Sequence, residues 1–125
     1  MTLTKLIPSL GVSDLDRSVA FYRDHFGFEV VNSYEESDDV VWCQLKSGTS
    51  ELMLQKLSSE QTRWLSAAPR SWVLYLAPDD LDAVFSSLRE AGVQVSDITS
   101  TEYDTRECFV NDPDGYELWI SSPAI

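Results

Sequence analysis

The sequence predicts an α+β fold made of two βαβββ modules, because the chain carries one motif twice. Residues 12–30 recur as residues 77–95 at an offset of 65, and residues 51–54 recur as residues 117–120 at an offset of 66. A repeat of this length in a chain of 125 residues indicates two copies of one folding unit within a single domain. Ligand sites are commonly formed where two such units meet, so we expect the functional site between the modules.

The first module is predicted over about residues 3–57. Ser13 or Asp14 offers a helix N-cap, apolar residues follow at helical spacing, and Gly27 ends the helix. Pro8 lacks a backbone N–H, so the first strand is expected at a sheet edge or next to a crossover. Apolar alternation bounded by turn residues predicts strands over residues 3–12, 28–35, 40–45 and 51–56.

The second module is predicted over about residues 71–122, after a polar linker at about residues 58–70 that has no counterpart in the repeat. Asp79 or Asp80 caps its helix, and Gly92 ends it. Strands are predicted over residues 72–77, 93–99, 106–111 and 116–121. One helix covers only one face of a four-stranded sheet, so each module is expected to leave its other sheet face open.

Composition and charge exclude several classes of protein. No apolar run approaches the roughly 20 residues of a membrane-spanning helix, and no secretory signal is visible, so we expect a cytoplasmic protein. The net charge of −12 repels phosphate backbones, which argues against nucleic-acid binding. The same negative charge indicates either a requirement for solubility or the attraction of a cationic ligand. Cys43 and Cys108 lie in apolar strands at matching repeat positions, so we expect buried, reduced thiols facing the helices.

Three segments resemble the vicinal oxygen chelate superfamily, which includes glyoxalase I, extradiol dioxygenases and fosfomycin- and bleomycin-resistance proteins. They are the strand leading to Val12 and Asp14, the helix with Phe21 and Tyr22 before Gly27, and the late segment 112–118. The resemblance covers nearly the whole chain and implies the fold of that superfamily. It does not by itself fix an activity, because one fold hosts many activities.

The metal enzymes of this superfamily place His or Glu at one point on the first and last strand of each module. The resemblance carries these points onto Ile7, Met53, Trp72 and Trp119. None of these side chains supplies the imidazole, carboxylate or thiolate that a divalent metal needs, and Gln55, two residues from Met53, is a poor ligand. The only histidine, His25, lies in the last turn of a helix, where it stabilises the helix terminus. We therefore expect no metal and no cofactor.

Without a metal, the sequence is most similar to the bleomycin-resistance branch, which works by sequestration. Pro8, the strand that begins at Trp72 and the segment 106–113 carry this similarity. It implies an acidic homodimer that binds a cationic or aromatic ligand, such as a bleomycin-family antibiotic, in clefts at the subunit interface. In that branch a proline at the Pro8 position accompanies exchange of the N-terminal strand between subunits.

Strand alternation predicts an aromatic cleft with scattered carboxylates. If Trp72 and Trp119 point inward, Leu74 and Leu76 lie beside Trp72, and Ser121 lies beside Trp119. Flat aromatic surfaces stack on planar or cationic groups, and carboxylates select positive charge. The predicted ligand-binding side chains are Trp42, Trp72, Phe109, Trp119, Met53, Ile7, Glu51, Glu107 and Glu117.

Two other functions stay open from the sequence. The first is a metal-dependent lyase or dioxygenase with a relocated site, for which Glu51, Glu107, Glu117 and Gln55 are the candidate ligands. The second is a domain that recruits partners through a dimer surface while the tryptophans fill the core. No catalytic residue is assigned, since the chain has no set of Ser, His and Asp and no phosphate-binding glycine loop.

Overall fold

The computed structural model describes residues 1–67 and 72–123. The chain divides into two compact units, Met1–Ala67 and Ala68–Ile125. The end of the predicted linker, residues 68–70, and the predicted start of the second module at residue 71 lie outside the described residues. No helix within the described ranges is long and apolar enough to cross a membrane.

The first unit is a four-stranded mixed sheet with one crossover helix. Strands β1 and β4 are parallel neighbours, and the other neighbours are antiparallel, in the order β1-β4-β3-β2. A helix after the last strand occupies most of the predicted linker. The elements are β1 (Ser9–Val12), α1 (Leu15–Phe26), β2 (Glu29–Glu36), β3 (Asp39–Ser47), β4 (Ser50–Lys56) and α2 (Ser59–Ala67).

The second unit repeats this topology. Its strand order is β5-β8-β7-β6, with β5 parallel to β8 and the other neighbours antiparallel. The elements are β5 (Leu74–Leu76), α3 (Leu81–Glu90), β6 (Thr99–Ser100), β7 (Thr105–Asn111) and β8 (Glu117–Pro123). The structure therefore confirms an α+β fold of two βαβββ modules.

Side-chain caps and left-handed glycines set the ends of the crossover helices. Asp14 accepts a hydrogen bond from the Arg17 amide at 3.0 Å, and Asp80 accepts one from Ala83 at 3.0 Å. Each satisfies an amide that the first helical turn leaves without a partner. Gly27 at φ 69° ends α1, and Gly92 at φ 76° follows the end of α3. The two N-caps are thus 66 residues apart, although the two glycines are 65 apart.

Strand alternation places one face of each sheet against a helix. Helix α1 packs on β3 and β4, and α3 packs on β8. Both cysteines lie on these covered faces and are buried, as predicted, and burial raises the pKa of each thiol. The buried side chains include Leu10, Cys43, Leu45, Leu52 and Leu54 in the first unit, and Cys108, Val110, Leu118 and Ile120 in the second. We call the opposite face of each sheet its open face.

Three predicted strands are shorter in the structure. The strand predicted over residues 3–12 covers only Ser9–Val12, because Pro8 can offer its carbonyl to the Met53 amide but has no N–H to donate. The strand predicted over residues 72–77 covers Leu74–Leu76. Of residues 93–99, Val95 forms an isolated bridge and Thr99 begins β6. The Ser96 hydroxyl accepts a hydrogen bond from the Phe109 amide at 2.7 Å, which replaces a regular strand contact.

Candidate functional site

Strand pairing fixes which positions of the two modules correspond. Ser9 lies opposite Met53, and Tyr75 lies opposite Trp119, so each residue of the second pair follows its counterpart in the first by 66 residues. Ile7 therefore corresponds to Val73, and the sequence-based assignment of Trp72 to this position is wrong by one residue. The shift follows from the helix start, because α3 is capped by Asp80 rather than by Asp79.

The resemblance places the metal ligands of the superfamily at four positions, and the residues at these positions do not fit a divalent metal. Ile7 and Val73 are aliphatic, Met53 offers only a thioether, and Trp119 offers an indole. Among the residues that the structure describes, no three His, Cys, Asp or Glu side chains come close enough to hold a metal ion. His25 packs edge-on against Phe21 at 5.1 Å between ring centroids, and partial burial lowers its pKa.

The open face of the first sheet carries the predicted residues Trp42, Met53 and Glu51. Gln44 lies opposite Met53 on β3 and donates a hydrogen bond to Glu51 at 2.7 Å. The Lys5 ammonium forms an ion pair with Glu51, whose side chain is only 6% exposed. The hydrogen bond from Lys5, assisted by that from Gln44, lowers the pKa of Glu51 although burial opposes the shift. Glu51 is therefore already engaged by the protein rather than presented to a ligand.

An open groove of about 480 Å³ lies at one end of this sheet. The pairing of β2 with β3 slips by one residue between Tyr34 and Glu35, which leaves Val41 as an extra residue on β3. Regular alternation would separate Val41 from Trp42, but such a bulge re-aims a side chain, and both line the groove. The lining residues are Tyr34, Glu36, Val41, Trp42, Gln55 and Lys56. We call this cavity the bulge groove.

The open face of the second sheet carries an aromatic cluster. Phe109 and Trp119 lie opposite each other on β7 and β8, and they remain 39% and 36% exposed. Tyr75 lies beside Trp119 on β5 and donates a hydrogen bond from its hydroxyl to Glu107 at 2.6 Å. Glu117 and Ser121 flank Trp119 by alternation along β8.

Sequence reasoning missed Tyr75 and placed Leu74 and Leu76 beside Trp72 on the cleft face. Leu74 and Leu76 pair with Leu118 and Ile120, both fully buried, so they lie on the helix-covered face and not beside a ligand. The 66-residue offset of residues 51–54, already visible in the sequence, would have placed Tyr75 correctly.

Trp72 does not join this cluster. It precedes β5 and packs against the buried Tyr116, with ring centroids 5.7 Å apart. Ile7, which also precedes its strand, is partly buried. The predicted residues are thus grouped by unit: Trp42, Met53 and Glu51 lie on the first open face, and Phe109, Trp119, Glu107 and Glu117 lie on the second.

Comparison with known proteins identifies the family. The chain is similar to the structure of TnmS3, an antibiotic binding protein from Streptomyces sp. CB03234, at 25% identity and a TM-score of 0.72, covering 98% of both chains. It shares its fold with the bleomycin resistance determinant encoded on transposon Tn5 (20% identity, TM-score 0.70, 98% of this chain and 100% of that chain). It also shares its fold with the fosfomycin resistance protein FosX from Listeria monocytogenes (14% identity, TM-score 0.76, 98% and 94%).

No curated protein matches the chain significantly in sequence. The family model of the Glyoxalase/Bleomycin resistance protein/Dioxygenase superfamily matches residues 6–120, which is nearly the whole chain. The repeated βαβββ topology of the two units agrees with that match. The chain therefore belongs to the Glyoxalase/Bleomycin resistance protein/Dioxygenase superfamily.

Proposed function

We propose that this protein is a metal-free binding protein that sequesters a small cationic or aromatic molecule, such as a bleomycin-family antibiotic. The observation that carries the proposal is the exposed aromatic cluster of Tyr75, Phe109 and Trp119 on the open face of the second sheet. Such rings bind planar and cationic groups through stacking and cation–π contacts, each contributing about 0.5–2 kcal/mol.

The charge of the protein supports a cationic ligand. The net charge of −12 raises the local concentration of cations around the molecule and speeds their encounter with it. Glu117 lies two residues from Trp119 on the same face of β8, where its carboxylate can meet a positive group. Sequestration requires affinity alone, so it needs no group that stabilises a transition state.

The side chains at the metal positions of the superfamily support binding without catalysis. Ile7, Met53, Val73 and Trp119 add apolar surface where metal enzymes place ligands. The similarity to an antibiotic binding protein at 25% identity agrees with this assignment. We further propose that the protein is cytoplasmic and that it is a homodimer, as the resemblance to the bleomycin-resistance branch implies. Sedimentation of the purified protein tests the dimer.

Titration with bleomycin, followed by tryptophan fluorescence, tests the proposal. We expect a saturable change at micromolar drug, because Trp119 is exposed on the proposed binding face. The same titration with a neutral peptide of similar size provides the control for non-specific quenching. The absence of any drug-dependent change would remove bleomycin as a ligand. Stoichiometric nickel, zinc, manganese or iron in protein purified without chelators would overturn the metal-free assignment.

A further inference from the structure

The bulge groove offers an aromatic surface built from residues on three adjacent strands. Tyr34 on β2 lies opposite Trp42 on β3, and Trp42 lies opposite Gln55 on β4, so the three side chains form one row across the sheet. Tyr34 is exposed and Trp42 is partly exposed. The row therefore presents two neighbouring rings to whatever enters the groove.

The polar groups around this row differ in whether the protein already uses them. The Lys56 ammonium, at one side of the groove, lies 2.6 Å from an Asp39 carboxylate oxygen, so its charge is neutralised locally. Among the described residues, the side chains of Glu36 and Gln55 make no hydrogen bond or ion pair. Glu36 is thus the one lining residue whose charge lacks a counter-ion within the described chain.

Other carboxylates close to aromatic side chains are not equivalent to Glu36. Glu51 is held by Lys5 and Gln44, and Glu107 accepts the hydrogen bond of Tyr75. A cation that used either would have to share the carboxylate with an existing partner, which weakens the attraction. Glu117 also lacks a partner among the described residues, but it does not line the bulge groove.

We propose that the bulge groove binds a planar aromatic cation, which stacks on Tyr34 and Trp42 while the Glu36 carboxylate balances its charge. This inference rests on the proposed function and adds a charge-selecting binding surface on the first sheet. Gln55 can donate to or accept from ring substituents of the bound molecule. Neutral molecules of the same shape retain the stacking contact and lose the attraction of Glu36, so the groove discriminates by charge.

The test compares N-methylacridinium, a permanent planar cation, with acridine, its neutral analogue at about pH 7.5. Binding is followed in proton–nitrogen correlation spectra through the tryptophan indole resonances, with the Trp42 signal assigned by the Trp42→Phe variant. We expect the cation to shift the Trp42 resonance more strongly than the resonance of Trp64, and to bind more tightly than acridine.

Glu36→Gln and Glu35→Gln form a matched pair of variants, because both remove one charge from neighbouring exposed positions of β2. Alternation places Glu35 on the opposite face from Tyr34 and Glu36. We expect Glu36→Gln to weaken binding of the cation about 3- to 10-fold and to leave acridine unchanged. We expect Glu35→Gln to leave the affinity for the cation and the affinity for acridine unchanged.

The remaining outcomes separate a failure of the groove assignment from a failure of the proposed function. Equal affinities of wild type, Glu36→Gln and Glu35→Gln for the cation would overturn the role of Glu36 and leave the proposed function standing. Loss in a Glu117→Gln variant instead would move the charge-selecting site to the second sheet. If N-methylacridinium leaves the Trp42 resonance in place while bleomycin binds, the groove assignment fails alone. If neither compound binds, the groove assignment and the bleomycin proposal fail together.

Discussion

Phe109 and Trp119 lie edge to face on adjacent strands, with ring centroids 5.3 Å apart and ring planes at 73°. This arrangement is favourable for two aromatic quadrupoles and holds both side chains in place before any ligand arrives. A surface that is ordered beforehand loses less conformational entropy on binding. The pair therefore provides a rigid contact surface although more than a third of each side chain is exposed.

Replacement of Trp119 by alanine is expected to weaken bleomycin binding by about 2- to 30-fold, which corresponds to the roughly 0.5–2 kcal/mol of a single stacking or cation–π contact. Isothermal titration calorimetry measures the change without relying on the fluorescence of the residue removed. Trp64→Ala is the matched control, because Trp64 is an exposed tryptophan on helix α2 rather than on a strand of either sheet. Equal losses in the two variants would contradict a specific role for Trp119.

The Glu51 carboxyl makes stability depend on pH in a defined direction. Its pKa is lowered in the folded state, mainly by the hydrogen bond from Lys5, so its contribution is fully present above the ordinary carboxyl pKa. The contribution is lost as pH falls through the lowered folded-state pKa. We therefore expect Glu51→Gln to reduce the free energy of unfolding at about pH 7 and to have a smaller effect at about pH 3.

Urea unfolding at the two pH values, monitored by circular dichroism, measures this difference. Glu102→Gln makes the same change of charge at an exposed loop position and serves as the control. A destabilisation by Glu51→Gln that is the same at both pH values would show that the ion pair with Lys5 is not its cause.

Gly27 is expected to be sensitive to substitution for reasons of backbone conformation alone. Its φ of 69° is left-handed, and an added Cβ would meet only the Ser47 hydroxyl at 3.6 Å, an ordinary contact. Gly27→Ala should therefore cost about 1–2 kcal/mol of stability in thermal or urea unfolding. Gly27→Asn should cost less, since asparagine tolerates this conformation better. An alanine variant as stable as the asparagine variant would contradict this explanation.

The two thiols are expected to be protected in the folded protein. Burial raises the pKa of Cys43 and Cys108, so little thiolate, the reactive form, is present near neutral pH. Reaction with a thiol-specific disulfide reagent should be slow in buffer, and both thiols should react rapidly in denaturant. Rapid reaction of one thiol in buffer would place that cysteine at the surface and contradict the covered-face packing.

The sequence predicted the modules well because repeats and alternation depend on local pattern. Gly27 and Gly92 indicated the helix ends. The apolar spacing around Cys43 and Cys108 identified the helix-covered face of each sheet correctly. The register of β5 was harder to predict. The second module has one additional residue before α3, so Tyr75 rather than Trp72 takes the place beside Trp119. No periodic pattern reports such a shift unless the strand partner is also considered.

Contacts between distant residues explain the rest of the difference. The ion pair between Lys5 and Glu51 joins residues far apart in sequence, and it changes a predicted ligand group into part of the scaffold. The bulge at Val41 depends on the pairing of two strands rather than on the composition of either. The bulge groove was therefore not predicted, although Trp42 within it was.

The irregular pairing of β2 also protects the protein against aggregation. Strand β2 is the outermost strand of its sheet, all eight of its residues are exposed, and its register slips twice along its length. A long, flat outer strand is a template for stacking onto other chains, which bulges and charged side chains prevent. The carboxylates of Glu29, Glu35 and Glu36 repel those of a second molecule of the protein. This repulsion opposes edge-to-edge association through the exposed apolar side chains of Val30 and Val31.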